Sequence, residues 1–227
     1  MKKLSLLTLL VMLLCVACHK PAPQPGHTPD DPVTPPADPK KEWMVKRMTI
    51  DATDYTKWVY LNFATGELVQ VTDPANDLSW DLGLHRYDFK TNGGESGVGK
   101  GAAVRISKQK ILTEEIPTPK DTQWELDRQG QLLMQFEDDG LGSHRTKYEM
   151  QEANFLLSSE CDGSGGFLNK GIITQEGMPP QVYIDNAIFL IRTASGEIVR
   201  LRVLDFQDNK KHRGYITIQY AMLVDKK

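Results

Sequence analysis

Apolar side chains in this chain occur in short runs, and almost every run ends at a turn signal. The runs are rich in β-branched and aromatic residues, as in WVYLNF before Ala64-Thr65-Gly66 and EIVRLRVLDF before Asp208-Asn209. Such runs at short spacing are typical of strands joined by hairpins. No sustained helical period is found, and the best helical candidate, residues 148–157, is equally plausible as a strand. The pattern predicts an all-β, predominantly antiparallel domain.

Three further segments fit this prediction. WELDR is expected to end as a strand at a turn formed by Gln129-Gly130, and AIFLIR at Ala194-Ser195-Gly196. The segment SWDLGLHRYDF is extended and is followed by a turn at Asn92-Gly93-Gly94, where glycine makes positive φ cheap. The last predicted strand alternates, so one face carries Ile216, Ile218, Tyr220, Met222 and Val224.

The amino terminus has the pattern of a secretory signal peptide. Met1-Lys2-Lys3 precedes LSLLTLLVMLL, an apolar stretch too short to span a bilayer as a mature helix. Ala17 directly precedes Cys18, as cleavage by a lipoprotein signal peptidase requires. Cys15 occupies the position where leucine is usual, so an ordinary secretory signal is the alternative. We predict that residues 1–17 are removed and that Cys18 carries several acyl chains, which together anchor a protein stably.

Residues 18–41 are predicted to be a lipidated, disordered tether. Eight of the thirteen prolines lie in this region, together with His19 and His27 and very few apolar side chains. Proline at this density favours polyproline II and leaves too little apolar surface to offset the entropy of ordering. The remaining residues, 42–227, have the length of one domain.

Charge and cysteine content exclude several classes of function. The formal net charge is −3, and it becomes −5 when residues 1–17, with Lys2 and Lys3, are removed. Nucleic-acid binding needs a basic face, so it is not expected. Cys161 is the only cysteine of the domain, which leaves no internal disulfide. No catalytic partner for its thiol is apparent. The adjoining acids Glu114-Glu115 and Asp138-Asp139 point apart on a strand, and no enzyme activity is predicted.

The sequence GESGVGKG at residues 94–101 comes within one residue of a phosphate-binding loop. The hydroxyl that would bind magnesium is missing, and the following AAVRISKQKI alternates like a strand. A phosphate-binding loop leads into a helix whose amino terminus faces the phosphates. We therefore interpret the segment as a connection between two strands.

Three segments closely resemble sequences of the HmuY family of haem-binding lipoproteins, namely TIDATDYTKWVYLNF, SWDLGLHRYD and GESGVGKGAAV. With the carboxy-terminal hairpins, the resemblance extends from Met48 almost to the end of the chain. It implies a β domain with projecting hairpins that frame a haem cleft. It also implies anchoring in the outer membrane with exposure at the cell surface, and transfer of haem to a TonB-dependent receptor. Release from the cell is the alternative to permanent anchoring. Host haemoproteins are candidate sources of the haem.

The resemblance also implies the ligands of the haem iron. His144 follows a glycine-bearing turn and precedes Tyr148-Glu149, which is the family pattern around its first axial histidine. The hairpin that should carry the second ligand has no histidine and offers Met178 between Gly177 and two prolines. A thioether is an ordinary axial ligand of haem iron. We predict His144 and Met178 as the axial pair, with Met150 as the fallback for the second ligand.

Other candidate residues are given structural interpretations. His85 is expected to be a structural histidine, His212 a solvated turn residue and Met134 a core residue. Arg145, Lys147 and Lys170 are candidates to meet the haem propionates, and the sequence does not select among them. The chain departs from the pattern of two axial histidines, and this departure keeps a second hypothesis open. The alternative is a lipoprotein on the same β scaffold that binds a non-haem ligand or serves in adhesion, because fold resemblance alone does not settle function.

Overall fold

The computed structural model describes residues 40–106, 111–138, 144–177 and 179–226, with side chains described at all of these except 136–138, 144 and 145. The predicted signal peptide, Cys18 and the tether up to residue 39 lie outside this part of the chain. The strands are β1 (Lys41–Asp51), β2 (Val59–Asn62), β3 (Glu67–Val69), β4 (Leu82–His85), β5 (Asp88–Thr91), β6 (Ala102–Ile106), β7 (Arg128–Asp138), β8 (His144–Ala153), β9 (Ile173–Glu176), β10 (Gln181–Ile184), β11 (Ile188–Arg192), β12 (Ile198–Gln207) and β13 (Arg213–Asp225).

The all-β prediction is confirmed. Every pair of described strands is antiparallel, and the described helical structure is a 3-10 turn at Asp121–Gln123. Within the described ranges, no helix is long and apolar enough to cross a membrane. The candidate helix at residues 148–157 is largely strand β8.

Two sheets form the body of the domain. A five-stranded sheet has the order β1-β13-β12-β11-β6, and a four-stranded sheet has the order β3-β2-β4-β5. The predicted apolar face of β13 packs between them, with Ile216, Ile218 and Tyr220 fully buried. The rings of Tyr220 and Phe63, from opposite sheets, lie 4.9 Å apart edge to face. Burial of aromatic and β-branched side chains between sheets is therefore the main source of stability.

The opposite face of the five-stranded sheet is covered by an irregular segment that precedes β7. Leu112 and Ile116 of this segment pack with Val104, Leu190 and Ala221 of the sheet. The guanidinium of Arg200 lies 3.7 Å from the centre of the Trp43 ring and donates to the carbonyl oxygen of Leu112 at 2.6 Å. A cation held against an aromatic face keeps this covering segment in place.

A buried carboxylate connects the two sheets. Asp81 accepts hydrogen bonds from the backbone N–H groups of Phe63 at 2.8 Å and Ala194 at 2.9 Å. Burial raises the pKa of this carboxyl, while the two N–H donors act in the opposite direction. Asp81 thereby satisfies two backbone donors that would otherwise be buried without partners.

Two separate two-stranded hairpins, β7–β8 and β9–β10, complete the fold. The predicted turn at Gln129-Gly130 is wrong, because both residues lie within β7 opposite Glu152 and Gln151. Gly130 is required there for another reason, since the Phe155 ring occupies the space that a side chain would need. This glycine therefore marks close packing against an aromatic ring and not a reversal of the chain.

The carboxylate of Asp127 fixes the root of the β7–β8 hairpin. It accepts the backbone N–H of Thr91 at 2.7 Å, the Thr91 hydroxyl at 2.6 Å and the side-chain amide of Asn154 at 2.9 Å. Thr91 ends β5, Asp127 precedes β7 and Asn154 follows β8. One buried residue thus attaches both strands of the hairpin to the four-stranded sheet.

The glycine-rich segment 94–101 is a packed connection, as interpreted from the sequence. The Asn92 side-chain amide donates to the carbonyl oxygens of Asp77 at 2.7 Å and Trp80 at 2.8 Å and accepts the N–H of Gly99 at 3.1 Å. Gly93 and Gly101 approach too closely for a side chain at either position. The segment leads into strand β6, which is not the helix that a phosphate site requires.

Candidate functional site

The predicted ligand positions lie on the two hairpins. His144 is the first residue of β8 and pairs through its backbone with Asp138 at the end of β7, while its side chain lies outside the described set. Met178 also lies outside the described residues, in the connection between β9 and β10. The structure therefore gives the elements on which the two positions lie, and the axial pair stays a prediction.

A pocket lies where the two hairpins meet the body. Its volume is about 50 Å³, and its walls come from five regions. Leu133 belongs to β7 and Ile173 to β9, so both hairpins contribute. The loop between β1 and β2, the β4–β5 turn and the segment between β8 and β9 supply the rest. The lining residues are Tyr55, Arg86, Tyr87, Asp88, Leu133, Ser159, Cys161, Phe167, Ile173 and Gln175.

The pocket combines aromatic and aliphatic walls with a few polar groups. Tyr55, Tyr87 and Phe167 supply the aromatic walls. The thiol of Cys161 is buried, and burial raises its pKa to about 12, so this thiol is un-ionised at neutral pH. An apolar wall with few convergent polar groups is the usual composition of a small-molecule site.

Arg86 forms one polar side of the pocket in an unusual backbone conformation. Its φ is +53°, in the left-handed region that costs a non-glycine residue energy. The guanidinium lies 4.3 Å from the centre of the Tyr55 ring and donates through Nη1 to the carbonyl oxygen of Thr53 at 3.0 Å. This conformation places a positive charge at the root of both hairpins.

The far end of the β9–β10 hairpin is tied to the body by Arg213. Its Nη2 donates to the carbonyl oxygen of Pro180 at 3.2 Å. Asp208 holds the neighbouring turn by accepting the N–H groups of Lys210 and His212, each at 2.8 Å. Arg213 therefore joins the turn between β12 and β13 to Pro180, which precedes β10.

The outer side of the β9–β10 hairpin carries a second, more open concavity of about 380 Å³. Thr174 and Tyr183 line it, and an ion pair between Lys170 and Glu176 crosses it. Lys147 likewise pairs with Glu149 on β8. Two of the three cations predicted to meet propionates are thus neutralised by glutamates. The side chain of Arg145 lies outside the described set.

Three sequence-based interpretations are confirmed by burial and contacts. His85 is fully buried, with Nε2 2.8 Å from the carbonyl oxygen of Tyr55 and its ring against Trp58. His212 is exposed, and its Nδ1 lies 2.8 Å from Asp208 Oδ2. Met134 packs against a cluster around Leu132. His85 Nε2 and His212 Nδ1 thus have protein partners, while His85 Nδ1 is buried 3.8 Å from Asp88 Oδ2 without a hydrogen bond.

The fallback ligand Met150 is exposed and lies in the middle of β8, opposite Gln131. Six residues along the strand separate it from His144, so the two positions are far apart on one hairpin. Met150 therefore lies on the same hairpin as His144, and the choice between Met178 and Met150 stays a prediction.

Arg86, Tyr87 and Asp127 were not selected from the sequence. Arg86 and Tyr87 belong to the segment HRYD, in which His85 was the obvious candidate. They line a pocket together with β9 only in the folded chain, because more than 80 residues separate them from that strand. In the described part of the chain, no group of three or more His, Cys, Asp or Glu side chains could hold a metal ion.

A two-sheet β body with two hairpins around a pocket defines an all-β fold with a cleft at the roots of its hairpins. The chain belongs to the HmuY family, whose family model matches residues 54–220. No curated protein matches the chain.

Solved structures share this fold. An apo HmuY analogue from Tannerella forsythia is 19% identical, with a TM-score of 0.59 over 84% of this chain and 100% of that chain. A Bacteroides vulgatus protein assigned as a HmuY-like haem-binding protein is 19% identical, with a TM-score of 0.55 over 78% and 90%. A Bacteroides fragilis protein assigned as a lipoprotein is 22% identical, with a TM-score of 0.54 over 78% and 88%. At these identities the likeness concerns the fold.

Proposed function

We propose that this protein is a haem-binding lipoprotein without catalytic activity, which holds haem between the β7–β8 and β9–β10 hairpins. Membership of the HmuY family carries the proposal. The pocket at the roots of the hairpins supports it, because aromatic walls and a guanidinium fit a flat apolar ring that bears carboxylates. A similar solved structure is assigned as haem-binding.

The size of the described pocket supports a particular place for the ring. Its volume of about 50 Å³ is well below the roughly 300–1,000 Å³ of sites that enclose whole ligands. The macrocycle therefore belongs nearer the far ends of the hairpins, with one edge over the pocket. This arrangement would bring His144 and Met178 to the two faces of the ring from separate hairpins.

The chemistry of the two side chains suits an axial pair. Neutral imidazole donates strongly to iron in both oxidation states, and a thioether favours the ferrous form. The bound haem would supply the iron that accepts both donors. The protein's own part is to hold the ring, to shield it from water and to present the two donors from opposite sides.

Titration of the purified protein with haemin, in oxidised and reduced form, tests the proposal. We expect a sharpened Soret band and the spectrum of low-spin, six-coordinate haem in the reduced protein. No change of the Soret band in either state would contradict haem binding. That outcome would favour the second hypothesis, a non-haem ligand or an adhesive role on the same β scaffold.

We further propose that the protein is anchored in the outer membrane through Cys18, with the domain facing the cell surface. Residues 18–41 would act as the tether, and haem taken from host haemoproteins would pass to a TonB-dependent receptor. The sequence around Cys18 supports the anchor, and one structural neighbour is assigned as a lipoprotein.

Replacement of the predicted lipidated cysteine tests the anchor. Cys18→Ser is expected to move the protein from the membrane fraction to the soluble fraction, because a thioether-linked lipid needs the thiol. Cys15→Ser is the matched control and should leave the protein with the membranes. Immunoblotting of separated fractions measures both. Equal retention of the two variants would contradict lipidation at Cys18.

A further inference from the structure

The β9–β10 hairpin has a second face that the proposed haem cleft does not use. Successive residues of a strand point to opposite faces, so Ile173 lines the root pocket while Thr174 and Tyr183, paired across the hairpin, line the outer concavity. The outer concavity has a volume of about 380 Å³. This value lies within the roughly 300–1,000 Å³ of sites that hold small molecules. The outer face is therefore large enough to bind a ligand of its own.

Tyr183 presents an aromatic side chain to solvent in this concavity. The residue is 58% exposed, although Thr174 directly opposite on β9 is buried. Ile172, which is fully buried, adds an aliphatic part to the wall. An exposed tyrosine ring offers an apolar face for stacking and a hydroxyl for a hydrogen bond.

The charged side chains beside Tyr183 compensate one another. Lys170 Nζ lies 2.5 Å from Glu176 Oε1. Arg105 donates to both oxygens of Asp185, at 2.6 and 3.0 Å. Burial acts to raise the pKa of Asp185, but the hydrogen bonds from Arg105 help to lower it below its usual value, so this carboxylate is ionised at neutral pH. Among the described residues that line the concavity, every charged side chain thus has a partner of opposite charge.

This balance selects the kind of ligand. An organic anion or cation would need an uncompensated charge of the opposite sign, and a large apolar ring would need walls that are mainly apolar. A neutral molecule with many hydroxyl groups can use both halves of an ion pair, because Lys170 has three N–H donors and Glu176 several lone pairs. The ion pair also holds these side chains in place, which lowers the entropy that binding costs.

We infer that the outer concavity binds a neutral sugar ring, which stacks on Tyr183 and exchanges hydrogen bonds with Lys170 and Glu176 through its hydroxyl groups. One face of a pyranose ring consists of C–H bonds and suits an aromatic face, while the rim carries the hydroxyls. A free sugar and a glycan attached to a protein share this chemistry. The inference is independent of haem binding.

NMR titration with neutral methyl glycosides tests the inference. The glycosides of glucose, galactose, mannose and N-acetylglucosamine are the probes, and at least one should bind with a dissociation constant on the order of 1 mM. Amide signals should shift at residues 170–176 and 181–185. Tyr183→Ala should weaken binding about 10-fold because it removes the stacking surface, whereas Tyr183→Phe keeps the ring and should bind like the wild type.

Leu168→Ala is the matched control, since it removes another exposed apolar side chain, 68% exposed, from outside the concavity. It should leave the affinity for glycosides unchanged. The dispersion of the amide spectrum checks that each variant is folded. Absence of binding by every probe would overturn the inference, and so would equal affinities of Tyr183→Ala and the wild type.

A glycopeptide with an N-linked glycan separates the two sources of the sugar. Tighter binding of the glycopeptide than of any methyl glycoside, weakened in Tyr183→Ala, would assign the site to a protein-bound glycan. Equal affinities would assign it to a free sugar. Acetate serves as the charged probe, and acetate that shifted the same amide signals as strongly as the glycosides would overturn the assignment to a neutral ligand. A wild type that bound glycosides without any Soret change on addition of haemin would retain this inference while the proposed haem function failed.

Discussion

The double variant His144→Ala/Met178→Ala is expected to lose nearly all haem binding. Each single loss removes one axial donor, and an alteration close to a bound metal typically costs 10–100-fold in affinity, so loss of a ligand should cost at least about 100-fold. His144→Ala should weaken ferric and ferrous binding alike. Met178→Ala should weaken ferrous binding more, because thioether sulfur favours the reduced iron. Soret titrations in both oxidation states measure these effects.

Two matched controls accompany these variants. Met150→Ala removes an exposed thioether from the middle of β8, and His27→Ala removes an imidazole from the proline-rich segment. Neither should alter the six-coordinate spectrum. His85→Ala is unsuitable as a control, because His85 is fully buried against Trp58 and its loss would leave a cavity. A normal spectrum for Met178→Ala beside an altered one for Met150→Ala would overturn the axial pair.

The same site should respond to acid. Imidazole must be neutral to bind iron, so haem affinity through His144 should weaken as the pH falls below about 6.5. A thioether does not titrate, so binding that remains in His144→Ala should not show this dependence. Soret titrations between pH 5 and pH 8 compare the two proteins.

Asp127→Ala is expected to give the largest loss of stability. It leaves the donors of Thr91 and Asn154 buried without an acceptor, and each such group costs about 1–3 kcal/mol, so we expect a loss of about 4 kcal/mol at pH 4. Asp73→Asn, on an exposed turn, is the control and should change stability little. Urea unfolding measures the free energy of each variant.

The pH dependence of this loss has a definite sign. Burial raises the pKa of Asp127 from 3.8 to about 6, so the native state holds the proton more tightly than the unfolded state. The resulting stabilisation is complete below the unfolded pKa and is lost as the pH rises through the folded pKa. The difference in stability between wild type and Asp127→Ala should therefore narrow by roughly 2–3 kcal/mol between pH 4 and pH 7. A difference in stability that grows between pH 4 and pH 7 would show that the three hydrogen-bond donors lower the pKa of Asp127 more than burial raises it.

The strands were predictable because their signals are local. The alternation along β13 and the turn before Gly196, which has a φ of +101°, are both encoded within a few residues. Gly130 was misassigned because its reason is a contact with Phe155, 25 positions away, that no local pattern contains. Arg86 and Tyr87 were missed for the same reason, since they line a pocket together with residues of β9 that are more than 80 positions away. The family resemblance supplied His144 and Met178, and local chemistry alone would not have paired them.

The separation of the hairpins from the two larger sheets has a consequence for the energetics of capture. A two-stranded ribbon is only marginally stable by itself, whereas the five-stranded sheet closes on a large buried face. Beyond their attachments to the body through Asp127 and Arg213, the backbone hydrogen bonds of β7–β8 and β9–β10 are expected to open more readily than those of the sheets, and amide exchange should be faster there than in β13. Binding and release of the proposed haem ligand would then require only local ordering of the two hairpins, while the two larger sheets keep their structure.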